Sequence, residues 1–109
     1  MFENEYINEA IQQFQLAQKN AKYRVGSFYH LAKCFKQKGQ FDLAKEQLEK
    51  ALADMPTMDN TKKDACYEMA EVLEALNENE KALDFYKQLY QLDINYKDVA
   101  EKIDQSYRK

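Results

Sequence analysis

The chain has 109 residues, 45% of them hydrophobic and 32% charged, with only two glycines and one proline. So few turn formers exclude a loop-rich all-β domain, and this mixture of apolar and charged residues excludes wholesale disorder. A net charge of −3 and a sequence pI near 5.2 disfavour nucleic acid as a partner, because phosphate backbones would be repelled.

The first predicted helix spans about residues 5–21, where Ile7, Ile11 and Phe14 stand four and three apart on one face. The second runs from about Val25 to Lys38 on the pattern Phe28-x2-Leu31-Ala32-x2-Phe35. Lys36 and Lys38 suit the negative end of its dipole, and Gly39 follows as a stop. The third, from about Phe41 to Met55, carries Ala44-x3-Leu48-x2-Ala51 and is closed by Pro56. Asp59 and Asn60 are N-cap candidates for the fourth, which reaches about Asn77 with Cys66-x2-Met69-Ala70-x2-Leu73. After the break at Asn77-Glu78-Asn79 a fifth helix with Ala82-x3-Tyr86-x2-Leu89 ends near Asp93. Lys97 to Tyr107 makes the sixth, with Ala100-x2-Ile103-x3-Tyr107 as its stripe. No apolar run approaches the roughly 20 residues that span a bilayer, and Met1-Phe2-Glu3-Asn4-Glu5 lacks the basic start and apolar middle of a secretion signal. The expectation is a cytoplasmic all-α domain with no membrane contact.

The patterns repeat. Ala10-x3-Phe14-x2-Ala17 recurs 34 residues on at Ala44 and a further 38 on at Ala82, while the Phe28 and Cys66 patterns are also 38 apart. Phe28, Leu31, Ala32, Phe35, Ala44, Leu48, Ala51 and Pro56 give one full match to the tetratricopeptide repeat signature, and Cys66, Met69, Ala70, Leu73, Ala82 and Tyr86 a looser one. The sequence therefore resembles that family over nearly its whole length. The resemblance implies an all-α, tetratricopeptide-type α-solenoid of antiparallel helix hairpins, about six helices in a right-handed superhelix. Residues 5–21 would be the second helix of a partial repeat, 25–56 and 61–94 two repeats, and 97–107 a capping helix, all within one domain. Cys66 departs from the usual bulky aromatic, Leu89 from a small residue and Ile94 from the proline. The four extra residues between Pro56 and Asp64 are close to one turn and would extend the following helix. Ala32 facing Ala44, and Ala70 facing Ala82, would let helix axes approach closely.

In this family the first helices of successive repeats line a concave groove. Carried over, the groove positions are Tyr29, His30, Lys33 and Lys36 from one repeat and Tyr67, Glu68, Glu71 and Glu74 from the next. Residues 25–38 carry Lys33, Lys36 and Lys38 without an acid, a charge of +3, whereas residues 64–77 carry Asp64, Glu68, Glu71 and Glu74 without a base, a charge of −4. Two readings stay open: ordinary solvated faces with exposed ion pairs worth about 0–1 kcal/mol each, or a groove in which tyrosines supply area and charges set register. Members of the family that clamp a C-terminal carboxylate use lysines and asparagines. Glu68 and Glu71 stand in their place here, so a peptide with basic residues is the better expectation.

The function expected is a non-catalytic protein-interaction scaffold that binds a protein or peptide partner. The alternative is a structural spacer or self-association module, a homodimer joined through Ile7, Ile11 and Phe14, whose covering helix is missing. That missing helix reads in the first instance as the edge of a longer array. At the other end Lys97, Asp98, Glu101, Lys102, Asp104 and Gln105 make the last helix polar outside. His30 has no companion that would activate a nucleophile, and Lys33 one turn away disfavours a metal. Cys34 and Cys66 are read as free thiols acting as small apolar side chains. No catalytic residue, metal or cofactor is expected. The aromatic residues, including Phe14, Phe28, Phe35, Tyr86 and Tyr107, are assigned to the packing stripe rather than to stacking on bases.

Overall fold

A computed structural model describes the backbone of residues 2–108 and the side chains from Tyr6 to Arg108. The side chains of residues 1–5, on which the secretion-signal argument rests, lie outside this range. Six helices and no strand occur among the described residues: α1 (Phe2–Ala17), α2 (Arg24–Gln37), α3 (Phe41–Ala53), α4 (Asn60–Ala75), α5 (Asn79–Leu92) and α6 (Val99–Ser106). The chain divides between Thr57 and Met58 into two compact units of three helices each.

In the first unit α2 and α3 form a hairpin. Leu31, Ala32, Ala44, Leu48 and Ala51 are all buried, with the two facing alanines at 2% and 0% exposure, as close helix approach requires. The turn between them is closed by a Schellman motif. The Gly39 N–H donates to the Lys36 carbonyl (3.0 Å) and the Gln40 N–H to the Phe35 carbonyl (2.9 Å). Gly39 sits at φ +76°, which glycine adopts without a Cβ penalty. α3 ends at Ala53, two residues short of the expected Met55, because the residue preceding Pro56 is disfavoured in helical geometry. α1 ends at Ala17, not near residue 21, and residues 18–23 form turns in which the Tyr23 N–H donates to the Asn20 carbonyl (3.0 Å).

The second unit repeats the hairpin with α4 and α5. Ala70 and Ala82 are buried at 0% and 1%, and Tyr86 fills the place that Leu48 fills in the first. Its turn uses the same motif with a different residue: Asn77 takes φ +63°, its N–H donates to the Glu74 carbonyl (3.0 Å), and the Glu78 N–H donates to the Leu73 carbonyl (2.8 Å). Asp59 caps α4 as expected, accepting from the Lys62 N–H at 2.9 Å. Two of the four extra residues lengthen α4 relative to α2, and the other two carry α3 on to Ala53, past Ala51, the position that matches the end of α1 at Ala17.

α6 packs on α5 through Val99 and Ile103, at 0% and 6% exposure. This corrects the expected stripe: Tyr107 is 75% exposed, because the helix starts at Val99 and ends at Ser106, leaving Tyr107 beyond its last turn.

Candidate partner-binding surfaces

On the first unit, α2 divides its residues between a buried side and an open one. Leu31 and Cys34 meet Ile11 of α1 in a small apolar cluster, with Ile7, Ala10, Phe14 and Phe35 packed around it. α2 packs on one side of this stripe: Ile11 is 8% exposed, Ile7 and Phe14 are half-buried, and Phe14 stacks on the His30 ring at 5.0 Å. Burial on that side satisfies part of the hydrophobic demand that a second chain would otherwise meet. Among the described side chains of α1, Tyr6 and Leu16 are exposed at 59% and 60%.

The open side of α2 carries the residues carried over as groove positions. Tyr29 is half-buried and tilts against His30 at 5.8 Å, and the Lys33 ammonium lies over the Tyr29 ring at 5.4 Å. Their shared face follows from helical spacing, since Tyr29 and Lys33 are four apart. His30 and Lys33 are exposed and Lys36 is half-buried. Lys38 turns instead toward α1, donating to Asn8 Oδ1 at 2.6 Å.

On the second unit the corresponding face is built over. Tyr67 is buried at 9%, with its hydroxyl donating to Asp98 at the start of α6. Tyr96, in the α5–α6 connection, donates to Asp64 on α4. Tyr86 donates to Glu74 Oε1 at 2.7 Å, and Lys102 of α6 reaches the same carboxylate at 3.4 Å. The Tyr67 ring meets Tyr86 and Tyr96 edge-on at 5.8 and 6.0 Å. Burial pushes the Tyr67 and Tyr86 hydroxyls well above the ordinary tyrosine range. Their hydrogen bonds to Asp98 and Glu74 push in the same direction, because ionising a phenol beside a carboxylate places two negative charges together. Glu68, Glu71 and Glu74 remain half-buried along α4.

The sequence pattern assigned Tyr67 and Glu74 to a groove wall. It missed Asp98, Tyr96 and Lys97 because they come from a connection that carries no helical period. One available signal was Asp98 just before the sixth helix, where an acid suits the helix N-terminus. A cleft of about 280 Å³ opens at the edge of this cluster, lined by Glu74, Glu80, Leu83, Tyr86, Lys102 and Gln105 among others. Both cysteines are buried free thiols, and burial raises the pKa of each, opposed in Cys66 by the nearby Lys62 charge.

The model of the tetratricopeptide repeat family matches residues 25–53 and 63–96. No curated protein matches the sequence. Among solved structures the chain is similar to one described as the first TPR of Spaghetti (RPAP3) bound to the HSP90 peptide SRMEEVD. The TM-score is 0.76 at 17% identity, over 95% of this chain and 79% of that one.

Proposed function

Because this chain belongs to the tetratricopeptide repeat family, a non-catalytic protein-interaction fold, we propose that it holds a partner segment on a first-helix face of its repeats, that of α2 in the first unit. The observation that carries this reading is the open face of α2, where Tyr29, His30 and Lys33 lie side by side without being consumed by the apolar core. An aromatic ring with a cation over it offers apolar area and a fixed charge together, which suits recognition of an extended segment. The structural neighbour's HSP90 peptide supports a peptide as the class of partner.

The acids of α4 define the sign of what it prefers. Glu68 and Glu71 would repel a terminal carboxylate, so a segment with basic side chains suits the second repeat. No described helix is long and apolar enough to cross a membrane, and the cytoplasm is the compartment we propose. Self-association through Ile7, Ile11 and Phe14 is the alternative, and it would use the side of that stripe not packed on α2.

The test is capture of partners from a lysate by the unchanged chain and by the Tyr29→Ala/Lys33→Glu variant. A prey retained by the first and lost with the second identifies partner and surface together; equal capture by both removes α2 from the interface. Light scattering over a range of concentrations should return the monomer mass, and a stable dimer would favour the self-association alternative.

A further inference from the structure

The connection between α5 and α6 holds Lys97 in an unusual way. It has φ +45°, a left-handed conformation that a non-glycine residue adopts at a cost. In that position the ammonium of this exposed residue lies over two rings at once, 4.6 Å from the Tyr67 centroid and 5.6 Å from that of Tyr96. The rings stand edge to face, and each hydroxyl is fixed by a carboxylate, Tyr67 by Asp98 and Tyr96 by Asp64. Two ring faces at an angle, backed by two carboxylates, form a corner suited to an alkylammonium: the π faces attract the cation and the acids add negative potential. Lys97 fills it as a tethered ligand would.

We propose that the Tyr67–Tyr96 corner is a binding site for a partner's lysine side chain, and that Lys97 is its internal occupant, displaced when a basic segment arrives. The proposal deepens the peptide-binding reading and rests on it for the source of the incoming lysine. Charge selects the occupant, because α4 carries Asp64, Glu68, Glu71 and Glu74 against Lys62 and Lys63 in its first turn, with Lys102 paired to Glu74, so acids outnumber bases beside the corner. Tethering explains why a lone ammonium would not compete well. A short linker gives Lys97 a millimolar or greater effective concentration, so only a segment with further contacts overcomes it. Specificity follows, since isolated cations are screened out and a multivalent basic segment is not.

The experiment removes the internal ligand and supplies a minimal external one. N-acetyl-lysine N-methylamide is titrated into the full chain and into Lys97→Gly, following the tyrosine ring signals by NMR, with N-acetyl-glutamate N-methylamide as the control probe. Glycine suits the positive φ, so the variant should keep its fold, which circular dichroism verifies. The expected result is saturable movement of the Tyr67 and Tyr96 signals in Lys97→Gly, at least about tenfold tighter than in the unchanged chain. The response should be absent with the glutamate probe and lost again in Lys97→Gly/Tyr96→Leu. A folded Lys97→Gly whose ring signals do not move, or which answers the glutamate probe equally, overturns the proposal. Partner capture through Tyr29 and Lys33 is read separately, so the corner can fail while the peptide-binding reading stands, and the reverse.

Discussion

The two repeats share one sequence pattern and differ in what their first helices do with it. α2 keeps its polar face open, with Tyr29, His30 and Lys33 arranged along it. On α4 the residue 38 positions after Tyr29, Tyr67, is buried and bonded to Asp98, and Asp64 ties down Tyr96. The difference teaches that equivalent repeat positions are not equivalent surfaces. A groove residue stays available only while the next connection in the chain leaves it alone.

The largest test of this contrast compares the matched core positions Leu48 and Tyr86. Leu48→Ala should cost about 2–5 kcal/mol and Tyr86→Ala about 3–5 kcal/mol, both read from urea unfolding. Tyr86→Phe separates the ring from its hydroxyl: it should recover most of the loss, because the Lys102 ammonium remains with Glu74. If Phe is as damaging as Ala, the hydroxyl–carboxylate contact outweighs the packing of the ring.

Next in size is the alanine contact. Ala44→Leu should destabilise by about 1–3 kcal/mol through overpacking, and an unchanged urea midpoint would contradict close approach of α2 and α3. The turns then give a difference of opposite sign. Gly39→Ala places a Cβ at φ +76° and should cost about 1–2 kcal/mol, whereas Asn77→Gly at φ +63° should stabilise slightly, seen as a rise in melting temperature. Since a Cβ at Gly39 would meet nothing within 4 Å, any loss there is backbone strain rather than a clash.

The smallest effect at neutral pH grows with alkalinity. Tyr67 and Tyr86 have folded pKa values above the ordinary value of 10, so the stability they contribute is complete below about pH 10 and is lost as pH rises beyond it. Tyrosinate absorbance should therefore show a late step in which Tyr67 and Tyr86 ionise as their hydrogen-bonded environment unfolds, a step that Tyr67→Phe/Tyr86→Phe removes.

The repeats, the alanine pairs and the caps were legible in the sequence because each is a local or periodic requirement. Ala32, Ala44, Ala70 and Ala82 announce close helix contact, and Gly39 and Asp59 announce helix ends, within a few residues of chain. Helix limits at Ala17 and Ala53 were less legible, since fraying and the residue before Pro56 act without disturbing the apolar period.

What the sequence by itself determined is an all-α chain of tandem helix hairpins, because apolar spacing of three and four admits one way of burying each stripe. Tertiary structure alone decided how the candidate residues are covered. Ile11 is covered by α2, and Tyr67 is held among Asp98, Tyr96 and Lys97, while Tyr29 keeps its cation and its opening. The reason is physical: periodicity fixes the direction of a side chain on its own helix, but burial depends on whatever distant segment comes to rest against it.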